Sequence, residues 1–173
     1  MKKNIVLIGF MGVGKSTLGR RLAKRLGYKF IDTDSAIEEI TGKTVEQIFR
    51  TDGEIRFRSE EKLLARKLAG QTGLVIATGG GMVLEQENVE LLKQNGVLIC
   101  LHADPQVILQ RVKNKRRRPL LSKGNLLENI IRLTREREGA YDIAELTLDT
   151  GKLTYDEMLQ EIKKFLEQKG YLR

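Results

Sequence analysis

Short apolar runs alternate with stretches of helical periodicity along the whole chain. Five runs have the length and the content of apolar side chains that are typical of buried strands: residues 5–8, 30–32, 74–77, 97–101 and 146–148. Because these runs are short and bounded by glycine or polar residues, they favour strands over buried helices.

Helical spacing fills the segments between these runs. Leu18, Leu22 and Leu26 recur every fourth residue and are followed by Gly27, a typical C-terminal stop. Longer helices are predicted at about 54–68 and about 87–94. Capping residues predict further helix starts at Thr44, Asp104, Asn125 and Thr154.

This alternation predicts a single α/β domain that spans residues 1–173. Right-handed crossovers place successive helices on the two faces of a parallel sheet, so near-continuous apolar strands are expected. Ligands of such folds bind beyond the carboxyl ends of the strands. The candidate site residues below all follow a predicted strand or lie in a loop that could fold over that edge.

Composition argues against membrane and disordered proteins. Hydrophobic residues are 40% and charged residues 31% of the chain, and no apolar run approaches the roughly 18 residues of a membrane span. The basic start runs into a glycine-lysine motif instead of a cleavage site, so we expect no signal peptide and a cytoplasmic protein. Cys100 lies in an apolar run and is predicted to be a buried hydrophobe.

The net charge of +8 comes from two segments. Residues 1–31 carry eight Lys and Arg side chains and residues 111–123 carry seven, and neither segment contains an acid. Such segments attract polyanions, which include both nucleic acids and nucleotide phosphates. No aromatic residue is interleaved with 116–118, so the stacking platforms of single-strand binders are missing there.

A phosphate-binding motif follows the first predicted strand. Residues 9–16 read Gly-Phe-Met-Gly-Val-Gly-Lys-Ser and match G-x-x-x-x-G-K-[ST], a loop whose backbone N–H groups surround phosphate oxygens. Lys15 adds positive charge at the β- and γ-phosphates, and Ser16 offers its hydroxyl to Mg²⁺. The motif also opens a helix, whose N-terminus faces the anion. A fortuitous glycine-rich turn is the alternative.

Two carboxylates, Asp32 and Asp34, follow the second predicted strand. We expect them to point to opposite sides of a regular strand and therefore to serve different partners. One is expected to approach Mg²⁺, directly or through water, and the other to accept a hydrogen bond from an attacking hydroxyl. The alternative is an ordinary strand-to-helix turn in which Asp34 or Ser35 is the cap.

Two further segments are candidates for a second substrate. Arg58 and Glu61 lie three residues apart on a predicted helix, a spacing that by itself favours an ordinary surface ion pair. Three successive glycines at 79–81 are entropically unfavourable unless the backbone must approach something closely. A ligand is the simplest explanation, and a flexible loop is the alternative.

A basic segment at 113–118 joins two predicted helices. Like charges so close together repel each other without an anion, which predicts a lid over about 112–125 that closes on a nucleotide. Arg118 would then reach the transferring phosphoryl group. A solvated basic loop is the alternative. His102, the single histidine, has no acidic or cysteine partner at ligand spacing and is assigned no role.

Taken together, these motifs resemble the shikimate kinase family over nearly the whole chain. The resemblance rests on the phosphate loop, 32–34 (Asp-Thr-Asp), Gly53-Glu54 with Phe57-Arg58, glycines 79–81, 118–121 (Arg-Pro-Leu-Leu) and Arg137 ahead of Tyr141. It implies transfer of the γ-phosphoryl group of ATP to the 3-hydroxyl of shikimate, a step of chorismate and aromatic amino-acid biosynthesis. It also implies a three-layer α/β/α fold with a parallel sheet of order 2-3-1-4-5, a helical substrate-binding segment at about 33–61 and a lid.

The resemblance assigns a role to each matching residue. On the acceptor side, Asp34 holds the reacting hydroxyl and is the candidate base, and the other expected contacts are Phe49, Phe57, Arg58, Gly79, Gly80, Gly81 and Arg137, the two arginines binding the carboxylate. The nucleotide contacts are Gly12, Val13, Gly14, Lys15, Ser16, Thr17, Arg111 and Arg118, of which Lys15 and Arg118 stabilise phosphoryl charge. Ser16 and Asp32 are expected to hold Mg²⁺. The implied partners are ATP and shikimate, with a monomer expected and no nucleic acid or membrane.

Other functions remain open at this point. A sugar-acid or nucleoside-monophosphate kinase shares the phosphate loop and an arginine lid but uses another acceptor. A P-loop RNA-binding or RNA-modifying protein fits the two basic segments. A catalytically inactive nucleotide sensor conflicts with the presence of Lys15, Asp34 and Arg118.

Overall fold

The computed structural model describes residues 2–113 and 124–172. Within these residues the strands are β1 (Asn4–Ile8), β2 (Lys29–Asp32), β3 (Leu74–Ala77), β4 (Gly96–His102) and β5 (Leu146–Asp149). The helices are α1 (Lys15–Leu26), α2 (Thr33–Thr41), α3 (Val45–Thr51), α4 (Glu54–Ala69), α5 (Gln86–Asn95), α6 (Pro105–Val112), α7 (Leu126–Glu136) and α8 (Tyr155–Gln168). Short 3-10 turns lie at Met82–Leu84 and Glu138–Tyr141.

The five strands form one parallel sheet in the order β2-β3-β1-β4-β5. This confirms the predicted α/β class and the strand order 2-3-1-4-5. Alternate side chains of β1 enter two different hydrophobic clusters, because successive side chains of a strand point to opposite faces. Ile5 and Leu7 pack with residues of α1, α6, α7 and α8, while Val6 and Ile8 pack with residues of α2 to α5. Helices therefore cover both faces of the sheet, as a three-layer fold requires.

Most of the predicted helix boundaries are confirmed by their caps. Thr44 and Thr154 form capping boxes, and the side chain of Asn125 accepts a hydrogen bond from the N–H of Glu128. Gly27 ends α1 in the left-handed conformation. The one difference is Asp104, which precedes α6 with Pro105 in the first turn but whose side chain makes no capping hydrogen bond.

Helix α2 was not predicted from the hydrophobic pattern. It begins directly after β2 without a loop, and its cap is Asp32, whose carboxylate accepts the N–H of Ser35 at 3.0 Å. The alternative in which Asp34 or Ser35 caps this helix is therefore wrong. Of its nine residues only Thr33 and Ile37 are buried, so the sequence offers little helical periodicity to detect.

Most of the predicted lid, including Arg118, lies outside the described residues. Within the residues that the structure describes, no helix combines the length and the apolar character needed to cross a bilayer. Cys100 is buried as predicted, and burial raises the pKa of its thiol to about 11.

Candidate active site

The phosphate loop connects β1 to α1. Gly12 and Gly14 have φ angles of 78° and 100°, a left-handed region that L side chains rarely adopt. Gly14 is the N-cap of α1, and neither a side-chain cap nor an acidic residue occupies the first turn. Among the described residues this helix start thus has no side-chain cap and no acidic side chain in its first turn, which suits an anion.

Two cationic side chains, one from the loop and one from α6, donate hydrogen bonds to main-chain oxygens at this loop. The Lys15 ammonium donates to the carbonyls of Gly9 at 2.5 Å and Phe10 at 2.8 Å, and the residue is only 8% exposed. Arg111 donates to the carbonyls of Val13 at 3.0 Å and Thr150 at 2.9 Å. The guanidinium thus links the phosphate loop to the segment between β5 and α8.

Ser16 and Asp32, the predicted metal pair, lie in contact. The Ser16 hydroxyl donates a hydrogen bond to one carboxylate oxygen of Asp32, while the other oxygen caps α2. A hydroxyl and a carboxylate are hard oxygen ligands of the kind that Mg²⁺ prefers, so the donor set fits such an ion. Among the described residues there is no cluster of three or more His, Cys, Asp or Glu side chains that could hold a metal.

Asp32 and Asp34 lie in different surroundings, but the expected geometric reason is wrong. Residues two apart share a face of a regular strand, and β2 in any case ends at Asp32. The chain turns at once into α2, and helical rotation separates the two side chains. Asp32 thus faces Ser16, while Asp34 faces the glycines that follow β3.

At 79–81 the small size of glycine matters because charged side chains lie close by, and not because the backbone needs a positive φ angle. None of them has a positive φ. A Cβ atom on Gly79 would lie 2.5 Å from Asp34 Oδ1, on Gly80 3.0 Å from Arg137 Nη1, and on Gly81 2.5 Å from Arg58 Nη1. The loop is therefore the surface on which Asp34, Arg58 and Arg137 converge, although they come from three separate segments.

Arg58 and Glu61 form an ion pair of 2.6 Å, as their spacing predicted, but the pair is not on the surface. Glu61 is fully buried, with an exposure of 0%. Burial raises the pKa of its carboxyl to about 7, against the lowering effect of Arg58. Helical spacing alone cannot distinguish this pair from an exposed one, since both have the same i,i+3 pattern.

Buried polar atoms at this convergence include Glu61 Oε2 and Arg137 Nη1, which have no hydrogen-bond partner among the described residues. Unpartnered buried polar atoms are unfavourable in folded proteins, so each calls for a hydrogen-bonding group that the described protein residues do not supply. Arg137 Nη1 is a donor that can bind the carboxylate of a small molecule.

Tyr141 is a functional candidate that sequence reasoning named only as a motif position. Its hydroxyl donates to the carbonyl of Gly80 at 2.6 Å, and burial raises the pKa of the phenol. The hydrogen bond joins the glycine loop to the 3-10 turn that follows α7. Its sequence signal is weak, because the two partners are separated by 61 positions.

The two predicted aromatic residues lie together. The rings of Phe49 and Phe57 have centroids 5.0 Å apart. Phe57 is 4% exposed and belongs to the hydrophobic core, whereas Phe49 is half-buried at its edge. Phe49 is therefore the ring available to a ligand, and Phe57 supports it.

His102 does have an acidic neighbour. Its Nε2 lies 3.4 Å from Asp149 Oδ2, because the two residues are paired across β4 and β5. Sequence spacing could not show this contact, since it depends on strand register. The histidine is half exposed and stands apart from the acceptor-side residues.

The chain resembles known proteins throughout its length. The family model for shikimate kinase matches residues 11–167. The shikimate kinase of Pelotomaculum thermopropionicum is 64% identical over 170 residues, which cover 98% of this chain and 99% of that protein. The shikimate kinase of Desulforudis audaxviator is 56% identical, with 98% of this chain and 89% of that protein covered.

The chain is also similar in structure to a solved shikimate kinase. Shikimate kinase from Acinetobacter baumannii in complex with shikimate superposes with a TM-score of 0.92 at 36% identity, covering 98% of this chain and 95% of that one. The family model spans most of the chain, and the two relatives are similar over nearly their whole lengths. The chain therefore belongs to the shikimate kinase family.

Proposed function

We propose that this protein transfers the γ-phosphoryl group of ATP to the 3-hydroxyl of shikimate, producing shikimate 3-phosphate, ADP and a proton. The observation that carries the proposal is the convergence of Asp34, Arg58 and Arg137 on glycines 79–81. Gly80 also lies beside the phosphate loop, since a Cβ there would be 3.4 Å from the Met11 nitrogen. Family membership and the A. baumannii complex with shikimate support the same acceptor.

The acceptor side suits a small carboxylic acid that carries ring hydroxyls. Arg58 and Arg137 bind the carboxylate, because guanidinium groups match a carboxylate with paired N–H donors. The backbone of glycines 79–81 presents polar groups to the ring hydroxyls. Asp34 orients the 3-hydroxyl and is the acceptor for its proton, and Phe49 packs against the ring with Phe57 behind it.

The nucleotide side uses the phosphate loop. The N–H groups of 12–17 bind the phosphates, and Lys15 leaves its loop carbonyls to stabilise the charge that develops on the transferring group. Arg111, which donates to the carbonyls of Val13 and Thr150, is proposed to contact the nucleotide on its adenine side. Arg118 is proposed to contribute a second positive charge from the lid at about 112–125, which lies mostly outside the described residues.

ATP-using kinases generally need a divalent metal, and we propose Mg²⁺ for this one. Ser16 and Asp32 would hold it, and it would supply positive charge against the negative charge of the nucleotide phosphates. We further propose that the chain is a monomeric, single-domain cytoplasmic enzyme that binds no nucleic acid. Residues 33–61 are the proposed substrate-binding segment.

The test is a coupled ADP-release assay with MgATP and alternative acceptors. We expect turnover with shikimate and background rates with gluconate and with nucleoside monophosphates. Turnover of one of those two acceptors in place of shikimate would establish a different small-molecule kinase.

Asp34→Ala sharpens the test, because loss of a positioned acid-base group lowers rates by about 10²- to 10⁴-fold. Nucleotide binding should persist in this variant, and Glu39→Ala, an exposed carboxylate on the same helix, is the control. An RNA-binding function predicts the opposite result, namely strongly salt-dependent RNA binding that survives Asp34→Ala.

A further inference from the structure

A cavity of about 360 Å³ lies at the carboxyl end of β4, beside Phe10 and Val13 of the phosphate loop and separate from the charged acceptor-side residues. Its lining includes Phe10, Cys100, Ile108, Thr134, Tyr141 and Thr147. Among the described residues that line it, Asp34, Arg58, Arg137 and the glycines 79–81 do not occur. The volume lies within the range of pockets that bind small molecules.

Two lining residues also contact the acceptor side. The ring of Phe10 lies 5.6 Å from the guanidinium carbon of Arg137, in a cation–π contact. Tyr141 donates its hydroxyl to the carbonyl of Gly80. The wall of the cavity is thus also the support of two acceptor-side groups.

The inner surface of the cavity is apolar. Phe10, Val13, Leu101, Ala103 and Ile108 line it, and each is at most 5% exposed. The Cys100 thiol is neutral at physiological pH because burial raises its pKa to about 11. Such a surface binds apolar groups by removing them from water.

The polar part of the lining indicates a neutral ligand. Arg135 is offset by Glu138, and Asp142 leaves one net negative charge among the described lining residues, so the lining disfavours anions while its apolar inner surface disfavours cations. The Thr134 hydroxyl oxygen is buried and has no hydrogen-bond partner among the described residues. It can therefore donate to or accept from one polar group of a ligand.

We propose that this cavity binds a small neutral molecule, about one aromatic ring in size with a single hydrogen-bonding group. We also propose that occupancy changes acceptor binding through Phe10 and Tyr141. The binding stands on the cavity alone, whereas the coupling rests on the proposed function.

The probe for binding is 4-fluorobenzyl alcohol, titrated against the full chain and followed by fluorine NMR. Thr147→Phe is the cavity-filling variant, because Thr147 is exposed, lines the cavity and lies on β5, where aromatic residues are favoured. Thr72→Phe is the matched control, an exposed threonine just before β3 at the other end of the sheet. We expect saturable binding to the wild type and to Thr72→Phe and its loss in Thr147→Phe. Absence of saturable binding, or equal binding by all three proteins, overturns the proposal.

Cys100 supplies an independent readout, since it is the single cysteine of the chain. Its thiolate attacks methyl methanethiosulfonate, forming a methyl disulfide and releasing methanesulfinate, and intact mass follows the reaction. The probe should slow this labelling in the wild type and in Thr72→Phe but not in Thr147→Phe. Labelling of the wild type that is insensitive to saturating probe contradicts binding at this cavity.

The coupling is tested by steady-state kinetics at saturating probe. We expect the KM for shikimate to change by about fivefold or more, at the lower end of typical allosteric couplings. Binding by NMR with an unchanged KM overturns the coupling alone. If the chain does not phosphorylate shikimate at all, the proposed function fails while the NMR titration still decides the cavity.

Discussion

The two halves of the candidate active site are built in different ways. The nucleotide half is one continuous loop, residues 9–16, and Lys15 and Arg111 donate hydrogen bonds to its carbonyls. The acceptor half collects side chains from α2, α4 and the end of α7 around the glycines at 79–81. In the first half the loop's own carbonyls hold the cationic side chains, whereas the second half depends on the packing of distant segments.

This difference affects the stability of the two halves. Glu61 and Arg137 are buried in the acceptor half with one polar atom each that has no partner among the described residues. Burial of such atoms is unfavourable, so the acceptor half is less stable without a ligand than its packing suggests. Shikimate should therefore stabilise the protein against unfolding, as any ligand of the native state does.

The largest expected effect comes from breaking the nucleotide half at Lys15. Lys15→Met removes the charge that we propose stabilises the transferring phosphoryl group, and kcat should fall by about a thousandfold or more. Lys24→Met, an exposed lysine on the same helix, should leave kcat unchanged. Near-normal turnover by Lys15→Met would show that the loop lysine is not part of the chemistry.

The next effect comes from the acceptor half. Arg58→Lys keeps the charge but loses the paired N–H donors, so the KM for shikimate should rise by about 10- to 100-fold. The KM for ATP should stay close to the wild-type value. Arg56→Lys is the control, because that arginine is exposed on the same helix and pairs with Glu60. A parallel rise in both KM values would contradict the separation of the two halves.

A smaller effect concerns pH and Glu61. Burial raises the pKa of this carboxyl from 4.5 to about 7, so the native state binds its proton more strongly than the unfolded state does. Its contribution to the free energy of unfolding is fully present below pH 4.5 and is lost as the pH rises through about 7. Glu61→Gln should remove this part of the pH dependence, measured by denaturant unfolding across that window.

Glu60→Gln is the matched control for that measurement, since it changes the neighbouring carboxylate, which pairs with Arg56. Its unfolding should keep the wild-type dependence on pH. If Glu61→Gln and the wild type show the same slope between those pH values, the carboxyl ionises without penalty and the described burial has no electrostatic consequence.

The smallest expected effect comes from removing the N-cap of either of the two capping boxes. Thr44→Ala and Thr154→Ala each remove an N-cap, on α3 and α8 respectively, and each should lower the free energy of unfolding by about 1 kcal/mol. Only Thr44→Ala should also raise the KM for shikimate, because α3 carries Phe49. An equal rise for Thr154→Ala would mean that the acceptor half responds to general destabilisation.

Local patterns predicted most of the fold. Strands β1, β3 and β4 are continuous apolar runs, and the capping boxes at Thr44 and Thr154 start their helices as expected. Each of these signals lies within a few consecutive residues. Helix α2 was missed because only two of its nine residues are buried and it follows β2 without a loop.

The features of the candidate site also fall into two groups, those that the local sequence predicts and those that it does not. The phosphate loop is contiguous and could be read from sequence alone, as could the glycines at 79–81. The burial of Glu61, the Tyr141 hydrogen bond to Gly80 and the His102–Asp149 contact depend on how distant segments pack. Such contacts leave no pattern in the local sequence, so only the three-dimensional structure reveals them.

The glycine loop has a consequence for redesign of acceptor specificity. A methyl group at 79, 80 or 81 would press against the side chain of Asp34, Arg137 or Arg58 respectively, most strongly at 79 and 81. Enlarging these positions therefore shifts a charged side chain of the candidate site. A protein engineer who wants to admit a bulkier or differently shaped alcohol should therefore start at half-buried Phe49, which packs on the Phe57 ring and whose trimming creates volume.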